Sequence, residues 1–109
     1  MLLWDGASMF LAVMSAVRKL DSKVLKKIRG VKNLRFANEE EVARVTKCLP
    51  GAVPPFGKVF NIETIMDESL RSQGDTINFN CGLRTRSICM SVSDYISVEN
   101  PQISSFTKA

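Results

Sequence analysis

The chain has 109 residues, of which 45% are hydrophobic and 24% are charged, and its formal net charge is +4. That length predicts one compact domain, residues 1–109, and no apolar run is long enough to cross a bilayer. The sequence contains no histidine, which excludes Ser-His-Asp and Cys-His catalysis and the usual zinc sites, and neither a metal nor a cofactor is predicted. Three cysteines without paired metal-ligand spacing indicate reduced thiols in the cytoplasm.

The chain opens with signals for a hairpin and a helix. Residues 2–4, an Asp-Gly turn signal and the apolar residues 8–17 are typical of two paired strands, although a buried helix also fits residues 8–17. Asp21 or Ser22 can then cap a helix that stops at Gly30. The apolar residues of that helix form one stripe, which predicts that it packs on a core.

A short strand and a second helix follow. Residues 31–36 alternate between apolar and polar side chains, as a strand does. Asn38 and Glu41 have the spacing of a capping box, which predicts a helix that ends near Lys47. Acidic residues in the first turn favour the positive end of that helix dipole.

Residues 48–57 form the most distinctive segment, with three of the four prolines and two of the six glycines. Proline restricts its own backbone and that of the preceding residue, so the segment should be a stiff, non-helical loop. Its glycines would let a ligand approach the backbone, and Val53 and Phe56 could anchor the loop to a core. The alternative interpretation, which generic turn chemistry alone favours, is that the segment is only a rigid connector between two elements.

The second half predicts several short strands and two short helical segments, which completes a mixed α+β domain. Residues 82–86 would be the basic tip of a hairpin, and Gly82 would mark a bulge or a close backbone approach. The predicted extended segments are residues 59–62, 64–66, 76–81 and 87–92. The predicted helical segments are residues 67–70 and a helix that Ser93 caps and that runs to residue 98. Residues 104–109 are predicted to be a loose tail.

Eight of the fifteen basic residues lie within residues 18–35, where Asp21 is the single acid. This basic segment could follow a phosphate backbone, or it could simply be a solvated helix face. Arg84 and Arg86 on the hairpin tip have the same two interpretations. Cys48 beside the loop could be a nucleophile, but with no histidine to activate it a buried structural thiol fits better.

The motifs occur in a telling order: LPGAVPPFG at residues 49–57, DESL at 67–70, NCGLRTRSI at 80–88 and VSDY at 92–95. In this order they resemble the YbaK / prolyl-tRNA synthetase-associated editing domain, over residues 2–101. The most specific piece is the G-x-x-x-P loop that begins at Gly51.

This resemblance implies an α+β fold in which a mixed, mostly antiparallel, barrel-like sheet carries short peripheral helices. It also implies an aminoacyl-tRNA deacylase of the trans-editing type, which hydrolyses the ester of mischarged tRNA and so protects translation fidelity. The expected substrate is alanyl- or cysteinyl-tRNA of the proline type, and prolyl-tRNA synthetase is a candidate partner. Such a reaction would rely on positioned water and the terminal ribose, which agrees with the lack of histidine.

Site residues follow from the same resemblance and from the charge pattern. The expected substrate-binding residues are Gly51, Ala52, Val53, Pro54, Pro55, Phe56, Gly57, Asp67, Gly82 and Ser87. The expected tRNA-binding residues are Lys23, Lys26, Lys27, Arg84 and Arg86.

Two departures from the family pattern stand out. The family carries a lysine shortly ahead of the segment that residues 2–4 resemble, and that position falls before Met1, so the chain looks N-terminally truncated and its catalytic residue is unknown. Lys47 stands where many relatives have glycine. The alternative is therefore a catalytically silent module that binds tRNA or a synthetase. A sheet without its first strands would also expose an edge, which predicts self-association as a homodimer.

Overall fold

A five-stranded sheet forms the centre of the computed structural model, which describes residues 1–48, 52–72, 74–80 and 85–109. The strands are β1 (Leu2–Trp4), β2 (Met9–Val13), β3 (Lys19–Leu20), β4 (Arg35–Phe36), β5 (Glu63–Asp67), β6 (Thr76–Asn80), β7 (Ser87–Ser91), β8 (Gln102–Ser104) and β9 (Thr107–Lys108). The helices are α1 (Ser22–Arg29), α2 (Glu39–Thr46), α3 (Ser69–Ser72) and α4 (Val92–Glu99), with a 3-10 helix at Gly57–Phe60.

The main sheet has the strand order β4-β1-β2-β5-β8. Strand β1 is antiparallel to β4 and to β2, whereas β5 is parallel to β2 and to β8. Two further antiparallel pairs, β3 with β9 and β6 with β7, lie apart from it. The predicted α+β fold with a mixed, mostly antiparallel sheet is confirmed. Because the described strands leave the main sheet open, "barrel-like" describes it only loosely.

The hairpin at the start of the chain is confirmed, with Leu3 opposite Phe10 in the β1–β2 register. Its second strand ends at Val13, earlier than the apolar run suggested, and Val17 is 84% exposed. Apolar character alone therefore overestimated this strand, because the last residues of the run leave the sheet in a turn.

The two faces of the sheet carry different helices. Phe10 on β2 packs with the buried Leu25 of α1, whereas its neighbour Leu11 points to the other face and packs with Val42 of α2. This alternation follows from the two-residue period of a strand. Helix α1 is capped by Asp21 and ends at Gly30, whose φ of 68° lies in the left-handed region that glycine tolerates.

Helix α2 has the predicted capping box, since Asn38 accepts from the Glu41 N–H and Glu41 accepts from the Asn38 N–H. The Arg35 guanidinium, followed by the Asn38 N–H, lowers the pKa of Glu41 to about 2. The helix ends at Lys47, which has a φ of 58°. This left-handed backbone gives a physical reason for the glycine expected there in relatives.

Three local predictions need correction. Residues 59–62 are not extended, because the chain forms the 3-10 helix Gly57–Phe60. The cap of α4 is Ser91 rather than Ser93, and its side chain accepts from the Asp94 N–H. The strand expected over residues 31–36 is reduced to the pair Arg35–Phe36. In each case hydrogen bonding, rather than composition, sets the type of the element and the residues at which it begins and ends.

The predicted loose tail is wrong. Phe106 is only 1% exposed and packs in the same core cluster as Leu25, while β9 pairs with β3. The carboxylate of Asp67 accepts hydrogen bonds from the Phe106 N–H at 2.8 Å and the Thr107 hydroxyl at 2.8 Å. One buried aromatic ring and one buried carboxylate therefore fix the end of the chain.

Within the residues that the structure describes, no helix combines the length and the apolar character that crossing a membrane requires.

The Asp67 carboxylate makes the stability of the fold sensitive to acid. Burial raises its pKa, but hydrogen bonds from Ser69, Phe106 and Thr107 outweigh burial and hold the pKa below its usual 3.8. A carboxyl group whose pKa is depressed by folding stabilises the protein above its unfolded pKa, and that stabilisation is lost as the pH falls through the folded value.

We therefore expect Asp67→Asn to lower the free energy of unfolding at pH 7, and the difference from the parent chain to narrow below about pH 3.8. Urea unfolding followed by circular dichroism from pH 2 to pH 7 measures this. The exposed carboxylate variant Asp75→Asn is the control and should stay close to the parent throughout. A difference for Asp67→Asn that is the same at every pH would contradict the assignment.

Candidate functional site

The loop that follows α2 covers a cavity of about 180 Å³ between strands β2 and β6. The described lining is mostly apolar and includes no ionisable side chain. A pocket of this kind can hold a small group and exclude water around it, but it offers no side-chain acid or base. The lining residues are Met1, Leu11, Ala12, Val13, Met14, Val53, Pro54, Pro55, Leu70, Ile77, Asn78 and Phe79.

Three of the predicted loop residues, Val53, Pro54 and Pro55, lie on the wall of this cavity. The neighbouring loop residues Ala52 and Phe56 pack against other parts of the protein. Ala52 is fully buried. The Phe56 ring contacts two other aromatic rings, with centroid distances of 5.6 Å to Phe79 and 5.3 Å to Tyr95. Gly51 lies outside the described residues.

Gly57 ends the loop at a position that admits no side chain. Its N–H donates to the Thr64 hydroxyl at 3.0 Å, and a Cβ on Gly57 would stand 2.7 Å from the Ile62 carbonyl oxygen. The Thr64 hydroxyl in turn donates to the Glu99 carboxylate at 2.7 Å, and the Lys58 N–H donates to the same oxygen at 3.3 Å. A buried network thus links the end of the loop to β5 and α4.

Helix α4 binds the loop at a second point, where the Tyr95 hydroxyl donates to the Pro55 carbonyl at 2.6 Å. Burial, together with the nearby Glu99 carboxylate, raises the pKa of Tyr95 far above its usual value. The phenol therefore stays protonated and acts as a hydrogen-bond donor. The sequence analysis assigned no role to Tyr95, Thr64 or Glu99. The predicted helix stopped at residue 98, so it did not include the four-residue pair of Tyr95 and Glu99 that the observed helix α4 contains.

The Asp67 side chain, which was predicted to bind the substrate, is not among the residues that line the cavity. Its carboxylate is 2% exposed and is occupied by Ser69, Phe106 and Thr107. Ser87 lies exposed on β7 opposite Asn80 and does not line the cavity either. Gly82 and its prediction lie outside the described residues.

The predicted tRNA-binding lysines lie on α1, whose Leu25 packs in one cluster with Phe10 of β2. Lys23 and Lys27 are exposed and Lys26 is half-buried. Arg86 is exposed on the second basic segment, and Arg84 is not among the described residues. None of these basic residues is among the described residues that line the cavity.

Several other basic and sulfur groups have structural partners. Arg29 pairs with Asp5 at 3.1 Å and with Glu63 at 2.7 Å, and Arg35 pairs with Glu41 at 2.7 Å. The half-buried Cys48 thiol donates to a carbonyl at 3.4 Å, which agrees with a structural thiol. In the described parts of the chain, no cluster of three or more Cys, Asp or Glu side chains could hold a metal ion.

The close packing around Gly57 makes a testable prediction. We expect Gly57→Ala to lower the free energy of unfolding by about 1–3 kcal/mol, because the added methyl group must displace the Ile62 carbonyl or the Thr64 hydroxyl. The matched control is Gly74→Ala, where a Cβ would meet nothing within 4 Å. Urea unfolding of both variants measures the effect, and equal costs for the two would show that the loop end is not tightly packed.

Comparison with known proteins places the chain in a family. The sequence model of the family described as "Aminoacyl-tRNA editing domain" matches residues 1–98. A curated relative from Escherichia coli K12, the "Multifunctional Ser/Thr-tRNA deacylase ProXp-y", is 29% identical over 98 residues, which are 90% of this chain and 59% of that protein. Its counterpart in Escherichia coli O157:H7 matches to the same extent. The chain thus spans 59% of the length of these curated relatives.

A solved structure shows the same fold. The crystal structure of "a putative trans-editing enzyme for prolyl tRNA synthetase" superposes with a TM-score of 0.87 at 21% identity, covering 99% of this chain and 68% of that one. At this identity the likeness concerns the fold. The match of the family model over residues 1–98, however, spans most of the sequence. The chain belongs to the aminoacyl-tRNA editing domain family.

Proposed function

We propose that this chain is an aminoacyl-tRNA deacylase of the trans-editing type, which hydrolyses the ester of mischarged tRNA. The observation that carries this proposal is the proline-rich loop fixed over an apolar cavity, with Val53, Pro54 and Pro55 on its wall. Family membership and the deacylase named among the curated relatives support it. A rigid loop with an open backbone can present N–H and C=O groups to an aminoacyl ester at fixed positions.

The chemistry is the addition of water to the ester carbonyl. The bond between that carbon and the ribose oxygen breaks, the oxygen takes a proton, and a free amino acid leaves the tRNA. Because no ionisable side chain is among the described lining residues, we assign the loop a positioning role and the proton transfer to water and the terminal ribose. The cavity supplies the dry surroundings in which backbone dipoles act most strongly.

The substrate would carry a small noncognate amino acid. An apolar pocket accepts small side chains and rejects larger ones by size, which is the logic of editing. Alanyl- and cysteinyl-tRNA of the proline type are our first candidates. Seryl- and threonyl-tRNA join them because the curated relatives are named for those substrates, and Asn78 on the cavity wall could bind a hydroxyl group.

The tRNA body would meet the exposed basic residues. The exposed Lys23, Lys27 and Arg86 and the half-buried Lys26 can neutralise phosphates without reading sequence, and we assign Arg84, which lies outside the described residues, the same role. The basic residues are not among the described residues of the cavity wall, so a bound tRNA would have to contact them with its body while its aminoacyl end enters the cavity. Prolyl-tRNA synthetase would be the partner that supplies the substrate, in the cytoplasm.

The deciding experiment is deacylation of proline-type tRNA charged with alanine, cysteine, serine or threonine, with prolyl-tRNA as the control substrate. We expect the chain to release at least one small noncognate amino acid and to spare proline. Val53→Trp fills the cavity and should slow release at least about tenfold, since small displacements of a reacting group cost that much. Val98→Trp, at a 61% exposed site on α4, is the matched control and should leave the rate unchanged.

A second candidate function is a catalytically silent module that binds tRNA or a synthetase. The lack of ionisable side chains among the described residues of the cavity wall favours it. It predicts tRNA binding by filter retention with no release above the rate in buffer. Equal rates for Val53→Trp and Val98→Trp would place any observed hydrolysis outside the cavity and would overturn the first proposal.

A second copy of the chain is a further candidate partner. Strand β4 is an edge of the main sheet, and its Phe36 side chain is 59% exposed. An unpaired edge with an exposed aromatic residue favours edge-to-edge pairing. We expect a dimer by light scattering at tens of micromolar, and Phe36→Lys should shift it to monomer; a monomeric parent chain would contradict this.

A further inference from the structure

Side chains from other elements bind two backbone groups at the end of the loop. Pro54 and Pro55 have no N–H to donate. The Pro55 carbonyl is bound by the Tyr95 hydroxyl, and the Gly57 N–H is bound by the Thr64 hydroxyl. The positions of these backbone groups therefore depend on side chains from β5 and α4.

Helical geometry brings two of these attachment points together. Tyr95 and Glu99 are four residues apart in α4, which places them on one face of the helix. Both are buried, with exposed fractions of 0% and 3%. Tyr95 reaches Pro55, and Glu99 reaches the Lys58 N–H directly and Gly57 through Thr64. The helix thus contacts the loop before and after Phe56.

Burial of the Glu99 carboxylate costs free energy that an apolar side chain in the same place would not cost. Its hydrogen-bond donors are neutral, the Thr64 hydroxyl and the Lys58 N–H, while the Lys58 ammonium donates instead to the Val98 carbonyl at 3.4 Å. Burying a charge costs stability unless hydrogen bonds compensate, and apolar side chains usually fill such space more favourably. Hydrogen bonds to an ionised acceptor are, however, shorter and stronger, so they fix their donors more firmly.

We propose that Tyr95, Thr64 and Glu99 form a loop clamp whose role is to position the proline-rich loop for ester hydrolysis. This inference rests on the proposed deacylase function. The three side chains do not line the cavity and are positioning residues, acting through Pro55 and Gly57. A loop displaced by a fraction of an ångström would still bind tRNA through the distant basic residues, but it would hold the ester poorly.

The chain offers a matched pair of threonine variants for the test. Thr64→Val removes the hydroxyl that joins Gly57 to Glu99, whereas Thr64→Ser keeps it. Thr107→Val removes a hydroxyl that likewise donates to a buried carboxylate, that of Asp67, but makes no contact with the loop. The two valine variants lose the same kind of bond, so a purely structural effect should be similar in both.

Three readouts are compared at a temperature where all variants are folded by circular dichroism. We expect Thr64→Val to lower the single-turnover deacylation rate at least about tenfold with less than about a threefold change in tRNA affinity. Thr64→Ser should recover most of the rate, and Thr107→Val should keep it. Amide hydrogen exchange at Gly57 and Lys58 should speed up in Thr64→Val alone.

Each other outcome counts against the clamp. Equal rate losses in Thr64→Val and Thr107→Val, or faster exchange without a rate loss, would reduce it to ordinary structural bonds. If the parent chain hydrolyses no ester, the deacylase proposal fails and the catalytic part of the clamp fails with it. The exchange comparison then still decides separately whether the three side chains hold the loop. Should Thr64→Val not fold, Tyr95→Phe removes only the hydroxyl on Pro55 and tests the same inference.

Discussion

The hydrogen bond between Thr64 and the buried Glu99 carboxylate is the constraint on which the site depends. Through it the β5 strand, helix α4 and the Gly57 backbone are fixed relative to one another. If the Thr64 hydroxyl were absent, the buried Gly57 N–H would lose this acceptor, and the Glu99 carboxylate would keep only the Lys58 N–H as a donor within the part of the chain that the structure describes. Leaving a buried polar group without a partner costs more free energy than the bond itself contributes.

On the other face of the sheet, a second buried carboxylate, that of Asp67, also accepts hydrogen bonds from a segment distant in sequence. Asp67 gathers donors from Ser69, Phe106 and Thr107, and so fixes the end of the chain over the core beside α1. Both carboxylates bind mainly neutral donors, and both join a distant segment to β5: Glu99 joins the start of the 3-10 helix through Thr64, and Asp67 joins the end of the chain.

Family membership gives this architecture its functional meaning. An editing domain must hold an aminoacyl ester while it rejects the correct amino acid, and both tasks need a loop that does not move. The apolar wall formed by Leu11, Val13, Val53 and Ile77 suits selection by size. The basic residues of α1 are not among the described residues that line the cavity.

Local sequence determined much of this protein. The Asp21 cap, the Gly30 stop and the Asn38–Glu41 capping box act over a few residues, so their helices could be predicted where they occur. The restricted backbone of Pro54 and Pro55 likewise follows from proline itself. The ordered motifs point to the family from the sequence alone.

Only the tertiary structure decided which side chains bind the proline-rich loop. Nothing local distinguishes Thr64, Glu99 or Tyr95, because each acts on a residue distant in sequence. The tail was misjudged for the same reason: Phe106 is buried by strands from elsewhere in the chain. The sequence predicted a binding role for Asp67, but it did not reveal that its carboxylate accepts hydrogen bonds from Phe106 and Thr107. Short-range rules set the elements, whereas long-range hydrogen bonds and burial set the roles of individual residues.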